Sequence, residues 1–496
     1  MSSRLRRNVP RSSIIVVLAL SCALIAVTAQ AQAPTWVSAW IGRGPLSTTI
    51  TTDHTFTDPV PDLTGRTLRV MAHLTAGGSQ VRVRLSQRFS ATSLGIGAGH
   101  VAIRTSGSGI ASGTDRALTF AGSSSALVAA GSDLWSDPVT LPVSAGQDLA
   151  ISLYVPGSFV PTTEGGRAQV KTAYHGAGNQ VSATSLTGAS TTRQVFAVYE
   201  VQVLASRPAA AIVALGDSIT EGACSAVDAD GDWPDRLAAR MPSLPDGTAP
   251  AVLNAGIGSG RFASSDGAGL RGLLRLDELL RLPEVRWVVL LMGVNDISYE
   301  HVDASFLQTA YEQAIAKAHQ ARKQILGVPI LPFGHSVKDV GNNKQTAQVV
   351  NQWIRDHDKR QGAAEPSFDA VIDVEAAVKD ASDPAWSLRS DLTCDHVHPN
   401  QAGYQAIAAA IPLALFTPVT AVPAARAGVV LLLGLALALG QSFATIGSIR
   451  HRAFDAIADA EADVSGIFQV SAEQSLATPH GGPKVRSGEP LTRRMS

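Results

Sequence analysis

The chain has 496 residues, with 40 Lys and Arg against 41 Asp and Glu, and it is 45% hydrophobic but only 16% charged. This balance excludes an intrinsically disordered chain and a polybasic nucleic-acid binder. At roughly 100–200 residues per domain, the length allows about three domains.

The first thirty residues have the pattern of a secretory signal peptide. Arginines up to Arg11 precede an uncharged apolar run over 14–27, and Ala29-Gln30-Ala31 offers a small-x-small cleavage site. We therefore predict that residues 1–31 are removed and that the protein is exported, to the periplasm, the cell surface or the medium.

Residues 32–205 show the pattern of strands and turns. Alternating runs over 81–85, 149–155 and 196–203 are separated by stretches rich in Gly, Ser and Thr, and long helical patterns are missing. We predict an all-β sandwich or jelly-roll domain. Two roles stay open for it: carbohydrate binding, or packing on the next domain and shaping its cleft.

Strands and helices alternate over residues 209–417. Five apolar strands begin near Ala211, Ala251, Trp287, Ile325 and Ala370, and a helical pattern follows each. The last two helical patterns cover about 343–360 and 401–416. This alternation predicts a parallel sheet covered on both faces, a three-layer α/β/α domain. Ligands of such sheets bind beyond the carboxyl ends of the strands.

The loop after the first of these strands contains Gly216-Asp217-Ser218-Ile219-Thr220. It places the Ser218 hydroxyl at the sheet edge, where a nucleophile would stand. The alternative is structural, because Asp and Ser are good helix N-caps after any strand.

The segment before the last helix contains Asp395-His396-Val397-His398. One turn can bring the Asp395 carboxylate beside the His398 imidazole, and a serine nucleophile needs such an oriented base. A metal held by His396, His398 and Asp395, or a solvated loop, are the alternatives. A metal is disfavoured because no third histidine or CxxC stands nearby.

Two other loops offer hydrogen-bond donors at the same edge. Asn295 has a side-chain amide suited to a developing oxyanion, although Asn-Asp by itself is a turn. The loop over 254–261 could bring a backbone N–H close to substrate. It is not a dinucleotide fingerprint, since Arg261 replaces the third glycine. Asp228, Asp230 and Asp232 hint at calcium, but the EF-hand glycine and glutamate are absent.

Together these loops resemble the four blocks of the SGNH (GDSL) hydrolases, in the family's order: GDSIT at 216–220, NAGIG at 254–258, GVND at 293–296 and DHVHP at 395–399. The resemblance covers about 209–416 and implies a flavodoxin-like hydrolase domain. The strand-rich front region is similar to that of larger secreted bacterial members.

The resemblance also implies roles for individual residues. Ser218 corresponds to the nucleophile, His398 to the general base and Asp395 to its orienting acid. The oxyanion hole is implied at Ser218, Gly258, Ser259 and Asn295. Ser259 stands where the family commonly has glycine, so which amide of the second block donates is left open.

The implied reaction is two-step ester hydrolysis without cofactor or metal, on a small-molecule or polysaccharide ester. Because no lid sequence is recognisable, we expect short acyl groups, such as acetyl, on carbohydrates or small alcohols. Two alternatives are a longer-chain lipase and a glycan-binding or adhesion protein with an inactive hydrolase domain.

Two cysteines lie beside the implied triad. Cys224 follows Ser218 by six residues, and Cys394 immediately precedes Asp395. We hypothesise that they form a disulfide, which would stabilise the fold by about 4 kcal/mol in the chain-entropy model.

An apolar stretch without charges covers residues 427–449, between Arg426 and Arg450. About twenty such residues can span a bilayer, so we predict a C-terminal membrane anchor, with a buried helix as the alternative. The arginines after it place the polar tail 450–496, expected to be disordered, on the cytoplasmic side.

Overall fold

A computed structural model describes residues 34–42, 61–159, 171–206, 210–241, 249–265 and 271–416. These all belong to one compact unit of the chain. The predicted signal peptide, the stretch 427–449 and the tail lie outside the described residues. Among the residues described, no helix has the length and apolar character needed to cross a membrane.

The front region is built from short strands, as the alternating runs predict. Its strands are β1 (Thr35–Ile41), β2 (Arg66–His73), β3 (Gly78–Ser86), β4 (Leu94–Ile96), β5 (Ala98–Ile103), β6 (Arg116–Leu118), β7 (Ala126–Val128), β8 (Asp133–Trp135), β9 (Val139–Val143), β10 (Asp148–Val155), β11 (Ala173–Ala177), β12 (Ser190–Thr192) and β13 (Val198–Ala205).

Two antiparallel sheets make up most of this region. One has the order β1-β13-β3-β8, with β9 also paired to β3, and the other has the order β12-β11-β2-β10-β5-β6. Val81 and Val83 of the first sheet share a core with Val70 and Ile151 of the second. The apolar residues of each alternating run therefore face one shared interior, as in a sandwich.

The second region alternates strands and helices. Its elements are β14 (Ala211–Gly216), α1 (Ser218–Glu221), α2 (Trp233–Arg240), β15 (Ala251–Gly256), α3 (Gly272–Leu280), β16 (Val285–Leu291), α4 (Val294–Glu300), α5 (Ala304–Gln320), β17 (Gln324–Gly327), α6 (Asn343–Asp356), β18 (Ala370–Val371), α7 (Glu375–Val378) and α8 (Gln401–Ala410), with 3-10 turns at Lys359–Gln361 and Leu413–Phe416.

The sheet is parallel and five-stranded, with the order β15-β14-β16-β17-β18. Successive residues of its central strands point to opposite faces. Val213 packs in the core that includes α3, α5 and α6, whereas Ile212 packs in the core with α2 and α8. The predicted three-layer α/β/α fold, preceded by an all-β domain, is confirmed.

The ends of two helices differ most from the sequence prediction. The helix expected over 343–360 ends at Asp356, because the Asp358 carboxylate accepts from Arg360 N–H and caps a separate 3-10 turn. The helix expected over 401–416 ends at Ala410. Pro412 lacks an N–H and disfavours a helical residue before it.

The two regions meet where β1 packs against β15. Ser38 N–H donates to Glu284 Oε1 at 2.9 Å, and Ser38 Oγ contacts both Glu284 Oε1 and Glu200 Oε1. A hydroxyl has one proton, so one of these two carboxyl groups must be protonated for both contacts to be hydrogen bonds. Burial raises the pKa of Glu200, and hydrogen bonds from Ser38 and Arg84 offset only part of that effect.

We expect Glu200→Gln to stabilise the protein increasingly as the pH rises. A carboxyl group whose folded pKa exceeds its unfolded pKa contributes most at acid pH and loses that contribution as the pH rises through the folded value. The free energy of unfolding, measured by urea denaturation between pH 5 and 8, gives the difference between variant and wild type. Glu312→Gln, on the exposed side of α5, is the matched control. A pH-independent difference for Glu200→Gln would contradict the interpretation.

Candidate active site

The turn after β14 presents Ser218 at the carboxyl edge of the sheet. The Asp217 carboxylate caps α1 by accepting from Ile219 N–H at 3.0 Å, and Ser218 is the first helical residue. A Cβ on Gly216 would collide with Thr220 Oγ1. Only glycine therefore lets the chain turn this tightly from strand into helix.

The loop before α8 holds Asp395 and His398 side by side. Asp395 Oδ2 accepts from His398 Nδ1 at 2.7 Å, while Oδ1 accepts from the N–H groups of Val397 at 2.9 Å and His398 at 2.8 Å. Thr393 Oγ1 braces the loop by donating to the His398 carbonyl at 2.8 Å. One local turn thus orients the imidazole.

The two loops meet at the serine hydroxyl. His398 Nε2 lies 2.8 Å from Ser218 Oγ, so Ser218, His398 and Asp395 form a continuous hydrogen-bonded chain. Burial alone would raise the pKa of Asp395, but the hydrogen bonds and charge of His398 outweigh it and lower that pKa to about 2. The carboxylate is ionised at neutral pH and can stabilise an imidazolium.

The second block lies against the nucleophile turn. Ile257 N–H donates to the Gly216 carbonyl at 3.2 Å, and a Cβ on Gly256 would collide with the backbone of α1. The buried Arg275 guanidinium joins the two strand ends by donating to the carbonyls of Gly216 at 2.9 Å and Ala255 at 2.6 Å. These contacts fix the spacing between the first and second blocks.

The structure narrows the choice of oxyanion donor in this block. Gly260 N–H is engaged, donating to the Ile257 carbonyl at 3.0 Å. Within the described part of the chain, the N–H groups of Gly258 and Ser259 donate no hydrogen bond. Ser259 has a φ of +56°, in the left-handed region that favours glycine, at a cost of about 1–2 kcal/mol. Ser259 therefore keeps a backbone N–H that can donate to an oxyanion, although its side chain makes this backbone conformation less favourable than it would be for glycine.

Asn295 extends from α4 towards the second block. Its Nδ2 donates to the Gly260 carbonyl at 3.0 Å, and its Oδ1 accepts from Lys338 Nζ at 2.8 Å. An amide nitrogen has two N–H groups, so the second can donate to a substrate oxygen. The predicted oxyanion hole consists of the Ser218 amide, a second-block amide and Asn295 Nδ2. These three groups lie on adjoining segments that are joined by hydrogen bonds.

Asp296 has a role that the sequence did not indicate. This fully buried carboxylate accepts from the N–H groups of Phe262 at 2.7 Å, Ala263 at 2.9 Å and Ser264 at 2.9 Å. It anchors the continuation of the second block to the start of α4. An Asn-Asp pair after a strand suggests only a turn, because the three N–H groups lie more than thirty residues away.

Two features near the triad were not predicted from the sequence: the raised pKa of Asp217 and the position of Lys338. Burial raises the pKa of Asp217 to about 6. Its place directly before Ser218 was the available signal. Lys338 contacts Asn295 from the segment between β17 and α6, where no periodic pattern marks it.

The described residues contain two groups of three side chains with metal-ligating atoms close together: Cys224, Asp395 and His398, and His73, Asp148 and Asp230. In the first group the sulfur is in a disulfide and both imidazole nitrogens are engaged. In the second, Lys171 Nζ lies 2.8 Å from Asp148 and 2.6 Å from Asp230, so a cation already balances the carboxylates. His396 belongs to neither group.

The three aspartates that hinted at calcium point to different partners. Asp228 accepts from the N–H and Oγ1 of Thr172, both at 2.9 Å, while Asp230 pairs with Lys171. Asp232 caps α2 by accepting from Asp235 N–H at 2.9 Å. Two of the three therefore attach this loop to the β domain.

A disulfide joins Cys224 to Cys394, which lie 170 positions apart in sequence and have Cα atoms 6.3 Å apart. It ties the segment after the nucleophile helix to the residue before Asp395. Tyr404 of α8 adds a second tie, since its hydroxyl donates to the Ala223 carbonyl at 2.6 Å.

Peptide mapping of the full chain, digested without reductant, should yield one cross-linked pair containing Cys224 and Cys394. Replacing both by Ala should lower the free energy of unfolding by about 2–4 kcal/mol, because the unfolded chain gains freedom. As a control, dithiothreitol should destabilise the wild type but not this double variant. Alkylation of Cys224 and Cys394 without prior reduction would contradict the pairing.

Comparison with known proteins adds independent findings. Residues 214–406 match the GDSL-like Lipase/Acylhydrolase family. A search of curated proteins finds no match. Similar solved structures include an aryl esterase from M. smegmatis, at 16% identity over 41% of this chain and 96% of that chain with a TM-score of 0.33. A carbohydrate acetylesterase from Sinorhizobium meliloti has 14% identity over 40% and 94%, with a TM-score of 0.32.

A GDSL-like lipase from Bacteroides thetaiotaomicron is similar at 18% identity over 41% of this chain and 86% of that chain, with a TM-score of 0.32. The family match spans the four blocks, from the strand before Ser218 to the helix after His398. Residues 214–406 of this chain are therefore similar to the GDSL-like lipase/acylhydrolase family, and the protein is a carboxylic ester hydrolase.

Proposed function

We propose that the protein is a serine esterase that removes short acyl groups, chiefly acetyl, from carbohydrates or small alcohols through an acyl-enzyme on Ser218. The observation that carries this proposal is the hydrogen-bonded chain from Ser218 Oγ through His398 to the Asp395 carboxylate. A hydroxyl bonded to an oriented imidazole is an activated nucleophile.

In the first step Ser218 Oγ attacks the ester carbonyl carbon and its proton passes to His398 Nε2. Asp395 holds the other ring nitrogen and stabilises the imidazolium that forms. The tetrahedral intermediate then loses the alcohol, which takes the proton from His398. An acyl group remains on Ser218.

In the second step a water molecule attacks the acyl-enzyme while His398 Nε2 accepts its proton. Collapse of the second tetrahedral intermediate releases the acid and returns the proton to Ser218 Oγ. In both steps the negative oxygen is stabilised by the Ser218 amide, by a second-block amide from Gly258 or Ser259, and by Asn295 Nδ2.

Replacing the nucleophile tests the reaction. With full-length protein at equal folded concentration, Ser218→Ala should reduce p-nitrophenyl acetate hydrolysis by about 10³-fold or more, since the acyl-enzyme cannot form. Ser225→Ala is the matched control, because that hydroxyl lies in the following loop and has no hydrogen-bond partner among the described residues. Acid quenching during turnover should trap an acetylated peptide containing Ser218. Equal rates in wild type and Ser218→Ala would overturn the assignment and favour the glycan-binding alternative.

The acyl specificity is tested on the same protein with p-nitrophenyl esters from acetate to laurate. We expect kcat/KM to be highest for the shortest chains. Faster release of long-chain acid from emulsified triglyceride than of acetate from soluble esters would establish the lipase alternative instead.

We also propose that the protein is exported and held at a membrane by residues 427–449. The N-terminal pattern supports export, and so does the Cys224–Cys394 disulfide, because disulfides persist in oxidising compartments.

N-terminal sequencing of protein from a bacterial host should begin at Gln32. A carbonate wash should leave the full chain in the membrane fraction but should release a chain that ends at 418. A chain recovered with Met1 intact, or washed off with residues 427–449 present, would contradict the corresponding half of this proposal.

A further inference from the structure

Lys338 is a buried lysine beside the oxyanion side of the site, and the reaction described above does not use it. The residue is only 7% exposed. Its backbone is fixed on both sides: its N–H donates to Ser336 Oγ at 3.1 Å, and its carbonyl accepts from Asn343 Nδ2 at 3.0 Å. The side chain therefore starts from a defined position.

The ammonium group rests on one face of α4. It donates to Asn295 Oδ1 at 2.8 Å and to Ser298 Oγ at 2.9 Å, and it lies 4.2 Å from the ring centroid of Tyr299. Residues at i, i+3 and i+4 of a helix are neighbours on its surface, so these three partners form one cradle for the charge.

These contacts determine which way the Asn295 amide points. Lysine only donates hydrogen bonds and a carbonyl only accepts them. Asn295 must therefore turn its oxygen to Lys338 and its nitrogen to the Gly260 carbonyl, 3.0 Å away. The opposite orientation would place the amide nitrogen against the Lys338 ammonium, donor against donor, and the amide oxygen against the Gly260 carbonyl, acceptor against acceptor.

We propose that Lys338 is a positioning residue that orients and polarises the Asn295 amide for the oxyanion of the tetrahedral intermediate. This inference rests on the proposed function. An ammonium group that donates to Oδ1 withdraws electron density from the amide, so Nδ2 becomes a stronger donor. The effect is large because water screens a buried charge only weakly.

The surroundings keep the ammonium charged at neutral pH. Burial lowers the pKa of Lys338 to about 8, while the carboxylates of Asp217 and Asp395 act in the opposite direction and Arg261 adds to the lowering. The Tyr299 ring faces the same ammonium. The positive charge is thus present at neutral pH and is lost as the pH rises through about 8.

The test uses full-length Lys338→Met, with Lys344→Met as the matched control. Lys344 is a lysine at the start of α6 that pairs with Asp339 at 3.0 Å. We expect Lys338→Met to lower kcat for p-nitrophenyl acetate by about 10–100-fold with KM within about 3-fold, because a donor used mainly in the transition state is weakened. Lys344→Met should stay within about 2-fold of wild type.

A double-mutant cycle with Asn295→Ala separates positioning from a general structural effect. In the Asn295→Ala background, Lys338→Met should change kcat by less than about 3-fold, since the group it acts through is gone. An equal loss in both backgrounds would overturn the proposal. So would a Lys338→Met variant with near wild-type kcat while Ser218→Ala is inactive, a result that leaves the esterase assignment intact.

The pH profile supplies a measurement that does not depend on the folding of the Met variant. Wild-type kcat should fall as the pH rises through about 8. In Lys338→Arg this decline should move to higher pH, because arginine stays protonated. A wild-type kcat that is flat from pH 7 to 9.5, or an unchanged decline in Lys338→Arg, would overturn the proposal. Absence of turnover in the wild type would instead reject the proposed function itself.

Discussion

The hydrogen bond between Ser218 Oγ and His398 Nε2 joins residues 180 positions apart, and the chemistry needs it to stay near 2.8 Å. A serine hydroxyl is a weak nucleophile without a base at that distance. The parallel sheet brings the two loops to the same edge, because all its strands end there. The Cys224–Cys394 disulfide and the Tyr404 hydroxyl then join the segment after Ser218 directly to the segments that flank His398.

The β domain contributes to the same constraint. The loop after α1 contains Cys224, Asp228 and Asp230 in left-handed backbone conformations, with φ of 69°, 62° and 47°. Such residues persist only where surrounding contacts hold them. Lys171 and Asp148, both from the β domain, form an ion-pair cluster with Asp230. Burial would raise the pKa of Asp148, but His73 and Lys171 outweigh it and hold that pKa well below its usual range. Of the two roles open to this domain, these contacts favour packing and shaping of the site.

Sequence reasoning located the features that depend on local pattern. Strand starts, the Gly216 turn and the pairing of Asp395 with His398 follow from residues close together in the chain. The functions of Asp296 and Lys338 could not be read in that way, because their partners come from other loops and lysine or aspartate in a loop is usually solvated. The left-handed backbone at Ser259 was also hidden, although the missing glycine pointed to that position.

Burial shifts the pKa values of two charged groups at the site in opposite directions. These shifts set the pH range in which both groups carry their charges. It raises the pKa of Asp217 to about 6 and lowers the pKa of Lys338 to about 8. Between those values Asp217 is an anion and Lys338 a cation, and each favours the charged form of the other. Below this pH range Asp217 loses the negative charge that stabilises the ammonium. Above it Lys338 loses the positive charge that lies 2.8 Å from the Asn295 carbonyl oxygen. These two buried side chains, one in the first block and one outside the four blocks, therefore limit the pH range in which both charges are present to near neutrality.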